Sequence, residues 1–445
     1  MNRMILSIVS SDRLKNLSGY GIVFFVLCLR TWDRIVHPVL WAEDGAIFLN
    51  KAYQIGAQSL FEFYGGWLHL LPRLIGLFFS GFPPHLFPFH WMVNLITLVS
   101  ILIASLCFSY FLSEDFRLIL PNRSLRLLAA IAFCFSPGLF ELLGNLANLH
   151  WFCSFFLFLV SLRSESAKLS YSQVIFSLLC VWSSGETIIL FPIFLIRIFL
   201  QQKQWIRNSA KSLLFFNPDL VISSSIVLSS VLNVINGCSD KTLHSVPNLY
   251  ELLTTWIFGI GNWIFLFPLF GFRLTHNIGR FAPAVFFLIF GTLLLVTAVK
   301  VINSKENRRN WLFFLIYIFL IIPLMFLARG HSIIDVFGRQ PIYQWADIGR
   351  YAFVLGPYGV FFWILLLTGR KKTKKNTAIL ACFLCLYCLN GALSGFWIRR
   401  HDGAGVAWEQ LDSDISRVSR TQTSEKVYIP CAPKGWGFWF SAKTR

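Results

Sequence analysis

Negative charge is what this sequence has least of. Its 445 residues include 21 Asp and Glu against 39 Lys and Arg, and charged residues of both signs make up only 13%. A soluble chain would carry about a quarter charged residues, so water cannot be the only solvent here. The chain is 56% hydrophobic, with 47 Phe and 16 Trp. That is more apolar surface than a water-facing shell can hide, and lipid has to cover it. Internal repeats and low-complexity segments are also missing, which excludes repeat arrays and long disordered linkers. The net charge of +18 is not a nucleic-acid footprint. Lys and Arg fall in short clusters between apolar runs, the pattern that orients a membrane protein.

Cysteine supplies no disulfide framework. Cys28, Cys107, Cys134, Cys153 and Cys180 lie inside apolar runs, where Cys acts as a small hydrophobe. Cys382, Cys385 and Cys388 recur every third residue in one apolar segment and lack the further ligands a metal site needs. Only Cys238 and Cys431 stand in polar segments, and a disulfide between them is one option.

Runs of about 20 apolar residues mark membrane spans. They fall at residues 18–36, 91–112, 127–143, 149–162, 171–183, 187–200, 213–235, 281–301, 311–328, 351–367 and 378–398. Arg3, Arg13 and Lys15 precede the first, which reads as a retained signal-anchor with its basic end in the cytoplasm. Residues 46–55 have helical periodicity and stop at Gly56. Residues 66–79 are broken by Pro72 and Arg73 and suit a helix lying along the membrane surface. The run 252–270 is split by Gly259, Gly261 and Asn262, and charge bookkeeping makes it a broken or re-entrant hairpin. The expected fold is all-α and polytopic. About eleven transmembrane helices occupy 1–398, external amphipathic helices follow the first span, and a periplasmic tail covers 399–445.

The residues able to do chemistry gather on the outer side of this layout. Glu43 and Asp44 sit in Trp41-Ala42-Glu43-Asp44-Gly45, where the chain first leaves the membrane. Tyr64, His69 and Arg73 follow, then His150, Glu186, His331, Arg339, Arg350 and Tyr351. A carboxylate that accepts a proton and guanidinium groups that grip a phosphate are what sugar transfer from a lipid phosphate requires. On a helix, adjacent side chains diverge by about 100°, so the two acids take different tasks: Asp44 as base, Glu43 orienting the acceptor or holding a metal. A divalent metal is compatible with this pair and not required by it. Each residue also has a plainer reading. Asp44 suits the N-cap of the helix beginning near Ala46, Arg73 suits snorkelling to headgroups, and Arg339 and Arg350 suit contact with anionic lipid. His150 beside Trp151 fits an interfacial anchor better than a catalytic group, and Glu186 fits a solvated hairpin turn.

The motif Trp41-Ala42-Glu43-Asp44-Gly45, followed by Tyr64-Gly65-Gly66 and Leu71-Pro72-Arg73-Leu74, resembles bacterial multispanning proteins placed with the GT-C glycosyltransferases. Asn148-Leu149-His150-Trp151, Gly349-Arg350-Tyr351 and Pro433-Lys434-Gly435-Trp436 are similar to later signatures of that group. The resemblance implies an acidic motif in the first external loop, here Glu43 and Asp44. It also implies a polyprenyl-phosphate sugar donor, a lipid-linked or lipopolysaccharide glycan acceptor, and action on the outer face of the bacterial inner membrane. Size and layout are also similar to phage-type O-antigen glucosyltransferases. A lipid-linked sugar flippase, with its charges inside the spans along a path, and a surface-polysaccharide polymerase are the alternatives.

The positive-inside pattern puts Lys374 in the cytoplasm and Ser441 outside. Reporter fusions at these two residues should give opposite signals; a cytoplasmic Ser441 would reverse the side of every loop.

Overall fold

The computed structural model describes residues 17–164, 167–208, 217–237, 248–304, 307–329, 355–368, 374–395, 405–421, 425–433 and 435–441. Helix α1 (Leu17–Arg30) leads through a turn at Thr31 into α2 (Trp32–Val36). A short strand β1 (Leu40–Trp41), a π-helical turn Asp44–Leu49 and α3 (Asn50–Ile55) follow. Next come α4 (Leu70–Ser80), α5 (Phe89–Ser109), α6 (Arg123–Phe133), α7 (Leu139–Leu142), α8 (Leu149–Leu162), α9 (Tyr171–Ser183) and α10 (Phe191–Asn208). The second half holds α11 (Pro218–Gly237), α12 (Leu249–Ile260), α13 (Phe267–Phe281), α14 (Pro283–Asn303), α15 (Arg308–Arg329), α16 (Gly356–Leu367) and α17 (Lys374–Gly395). Helix α18 (Trp408–Thr421) and strands β2 (Val427–Ala432) and β3 (Trp436–Phe440) end the described chain.

Why two short helices are apolar all round becomes clear from their surroundings. All fourteen residues of α8 are buried, as are all but the last residue of α16. A helix hydrophobic on every face belongs in a core, and aromatic rings fill the space around these two. The Phe155 ring lies 4.9 Å from Phe133 and 5.2 Å from Tyr358, and Phe158 lies 4.9 Å from Tyr358. Much of the phenylalanine is therefore packing between helices. Edge-to-face contacts of this kind add to burial and fix orientation.

Five helices among the described residues are long and apolar enough to cross a membrane: Phe89–Leu112, Pro218–Asn236, Leu249–Gly271, Pro283–Asn303 and Lys374–Leu393. A sixth is counted if Tyr171–Ser183 and Gly185–Gln201, bent by 115°, make one span. Three sequence readings change here. Residues 252–270 are no hairpin, since the chain from Leu249 to Gly271 is one span-length helix. Gly261 does not break it; a Cβ there would stand 2.6 Å from the Phe286 ring, so the glycine admits α14 closely and the helix widens into a π turn at Gly261–Leu266. Residues 127–143 are not a span: α6 stops at Phe133, about 16 Å of helix, ahead of Pro137 and Gly138, whose φ is 82°. Residues 171–200 are the broken pair just named.

The chain is also not wholly α. Strand β2 pairs parallel with β1, Leu40 opposite Cys431 and Trp41 opposite Ala432, and antiparallel with β3. A Cβ on Gly45 would lie 2.4 Å from Cys431 Sγ, so only glycine lets this hairpin close on the acidic loop. Burial pushes the Cys431 thiol up to about 12, with Asp44 adding to the shift; Cys238 lies outside the described residues. Trp408 Nε1 donates to Pro38 O at 3.0 Å, His90 N donates to Asp412 Oδ1 at 3.2 Å, and the His90 ring pairs with the same carboxylate. Helix α18 and the hairpin are thus seated on the 38–49 loop and the start of α5.

A second polar centre lies at the other end of α8. Asp219, fully buried, accepts from Arg163 Nη2 at 2.7 Å, Arg197 Nε at 3.3 Å and Gln201 Nε2 at 2.7 Å. Arg197 Nη1 also donates to Ser161 O and Arg163 O, closing the end of α8, the middle of α10 and the start of α11 around one carboxylate. Substituting Asp219→Leu would leave two buried guanidinium groups without their counter-charge, a change costing about 3–5 kcal/mol. Thermal denaturation in detergent should show a large loss for Asp219→Leu and partial recovery in Asp219→Leu/Arg197→Met; an unaltered melting temperature in the single variant would refute the clasp.

Candidate functional site

The acidic loop is held by what Asp44 reaches. Its side chain is buried, and its two oxygens accept the backbone N–H groups of Leu146 and Ala147, each at 2.8 Å. Its oxygens go to a loop about a hundred residues away in the chain. Burial pushes the Asp44 carboxyl up to about 7, against the two amide bonds and Arg34, which favour the charged form. The same loop is secured at other points. Arg34 donates to Leu143 O and lies 5.0 Å from the Trp41 ring centre. Asn145 accepts from Asn148 N at 3.0 Å and donates to Glu141 O at 2.7 Å, while Ser100 Oγ donates to Asn145 O at 2.7 Å. A loop tied this thoroughly delivers the first turn of α8, and with it His150, to a fixed place.

Glu43 is different from its neighbour. It is half-buried, and its Oε2 is enclosed with no hydrogen-bond partner among the described residues. A carboxylate oxygen removed from water and left without a donor is costly and is well placed to accept a proton.

Facing His150 is the break between α9 and α10. His150 Nδ1 stands 2.7 Å from Glu186 Oε1, both side chains being buried. Ser184 Oγ donates to Glu186 Oε2 at 2.6 Å, and Ser183 Oγ accepts from Leu71 N at 2.7 Å, tying the break to the start of α4. Gly185 is required here: a Cβ would lie 2.8 Å from the Trp67 ring, which rests on the glycine. Trp67 is in turn 5.2 Å from the His69 ring and 5.7 Å from the His150 ring, with His69 and His150 6.0 Å apart. Tyr64 lies 6.0 Å from His69. His69 has φ 53°, the one described non-glycine residue with positive φ; a residue held there marks a position that its surroundings over-determine.

Of the residues singled out from sequence, Glu43, Asp44, Tyr64, His69, Arg73, His150 and Glu186 therefore fall at one end of the bundle. Arg73 serves the scaffold: it is buried, donates to Leu68 O and Ser59 O at 2.9 Å each, and lies over the Phe48 ring. That excludes snorkelling to headgroups. His331, Arg339, Arg350 and Tyr351 lie outside the described residues. Asn148 enters the sequence reading only within the motif Asn148-Leu149-His150-Trp151, and Trp67 and Gly185 receive no role there. Among the described residues no group of three or more His, Cys, Asp and Glu could hold a metal ion. Comparison of the chain with protein-family models, with curated proteins and with solved structures finds no match.

Asp44→Asn keeps the size but offers one acceptor oxygen to two amides and turns an NH₂ group toward the other. Leaving one buried N–H unpaired costs about 1–3 kcal/mol. The variant should melt several degrees lower than wild type, whereas Glu43→Gln should melt with wild type; equal stability of Asp44→Asn and wild type would contradict the stapling role.

Proposed function

We propose that this chain is an integral-membrane hexosyltransferase with a GT-C-like fold. It takes a hexose such as glucose from a polyprenyl phosphate and adds it to a cell-surface glycan such as O-antigen. The observation that carries the reading is the unpartnered, enclosed oxygen of Glu43, next in the chain to Asp44, which holds the loop that leads into His150 and its partner Glu186. In this reaction Glu43 accepts the proton of the acceptor hydroxyl. The hydroxyl oxygen then attacks the anomeric carbon as its bond to the phosphate oxygen breaks, and the lipid phosphate leaves with that electron pair. Asp44 is the positioning residue, since both its oxygens already receive amides. Catalysis is thereby reassigned within the acidic pair, from Asp44 to Glu43.

The aromatic and imidazole rings of Tyr64, Trp67 and His69 supply the wall against which a sugar is oriented. A lipid-linked sugar transporter would carry charge along a path through its spans. The buried Arg163, Arg197 and Asp219 pair with one another instead, which favours the transferase. The membrane side proposed for the site is the outer one, with the amino terminus cytoplasmic and the carboxyl terminus periplasmic.

Glu43→Gln should slow sugar transfer by about 10²- to 10⁴-fold, with insertion and melting temperature preserved. The measurement is mass spectrometry of surface glycans in a gene deletion complemented by each variant. Wild-type glycan composition in the Glu43→Gln strain would end this mechanism.

A further inference from the structure

One corner of the site holds more hydrogen-bond donors than the described residues satisfy. Helix α8 runs for fourteen residues, so its start carries partial positive charge, although Leu149 N–H already donates to Leu146 O at 3.0 Å and Trp151 N–H to Asn148 O at 3.2 Å. Asn148 stands at its cap position yet makes no cap bond. It is only 4% exposed, and its Nδ2 has no hydrogen-bond partner among the described residues. Trp67 Nε1 is enclosed in the same condition. Two enclosed N–H donors without acceptors are costly to keep, and the Trp67 ring is 5.7 Å from His150.

His150 completes the set. Glu186 lies 2.7 Å from Nδ1, which leaves Nε2 as the ring nitrogen that can meet a ligand. Two of the negative groups nearby are already engaged. Glu186 is shared between His150 and Ser184, and Asp44 between Leu146 and Ala147.

We propose that this corner binds the phosphate of a phosphate-bearing ligand, through Asn148 Nδ2, Trp67 Nε1 and His150 Nε2 at the positive end of α8. A helix N-terminus with converging N–H donors is suited to phosphate. The assignment rests on the glycosyltransferase reading, and it names where the donor's phosphate is held as the sugar leaves.

Asn148→Asp and Trp67→Phe separate binding from folding. Asp is as good a helix cap as Asn but sets a negative charge against the phosphate. Phe keeps the ring on Gly185 and removes only the donor. The probe is a radiolabelled polyprenyl phosphate without sugar, bound to the full-length chain in phosphatidylcholine nanodiscs. Losing a hydrogen bond to a charged ligand weakens binding by about 10- to 100-fold, expected for Trp67→Phe, with a larger loss for Asn148→Asp and wild-type melting temperatures in both. Displacement by inorganic phosphate in wild type shows that the phosphate itself is recognised and supports the site. Displacement by phosphatidylglycerol but not by inorganic phosphate assigns the corner to bulk headgroups and overturns it. Unchanged affinity in both variants overturns it as well. The readout needs no sugar transfer. Weakened binding together with glycans indifferent to Glu43→Gln keeps the phosphate site and removes the transferase, and unchanged binding with an inactive Glu43→Gln does the reverse.

Discussion

Two hydrogen bonds from the amides of Leu146 and Ala147 to the Asp44 carboxylate hold the functional end of this protein together. A carboxylate taking two backbone amides makes charge-assisted bonds, the strong kind, and it does so between segments that helix packing alone would leave free. Because Asp44 is fixed to the 141–148 loop, α8 begins at one defined point and His150 meets Glu186. Because Glu43 precedes Asp44 in the same turn, its direction is set by the same two bonds. The acidic pair is thus divided between a buried anchor, Asp44, and a half-buried neighbour with one oxygen unpartnered, Glu43.

Arginine performs the corresponding task elsewhere in the scaffold. Arg34, Arg73 and Arg126 donate to backbone carbonyls of loops and helix ends, such as Leu143, Ser59 and Leu120. The planar fork of a guanidinium can satisfy several carbonyls at once, which suits connections too short to form their own hydrogen bonds. Arg126 and Arg163 border apolar runs, where basic residues carry the orientation signal. Both are buried and structural, Arg126 reaching Glu114 at 2.5 Å and Arg163 reaching Asp219. Orientation signal and internal clamp are compatible uses of one residue, because the clamps lie at the helix ends where the signal is read.

The membrane class and most of the site were legible because they rest on composition and on single conspicuous residues. Scarce acids in an apolar chain marked Glu43, Asp44 and Glu186 without any structural knowledge. Their division of labour was not legible, since whether an oxygen is free depends on a loop a hundred residues away. Span counting failed where hydrophobicity had a different cause: α8 and α16 are apolar because they are wrapped by other helices. Glycine misled at Gly261, where it signals close approach rather than a break. The hairpin was invisible because β2 reads as a polar tail until its partner β1, two residues long, is known.

The parallel pairing of β1 with β2 has a consequence in the order of synthesis. Leu40 emerges before every helix from α3 to α18 and meets Cys431, which emerges after them all. The acidic loop therefore remains without its seat throughout elongation, while every helix between is inserted. Contacts this distant in sequence close late, since the chain must first lose the freedom of the whole intervening loop. A truncated product ending before residue 427 would hold all the spans and still lack the strand against which Gly45 is packed. The acidic loop is seated only once the strand at Val427–Ala432 has emerged.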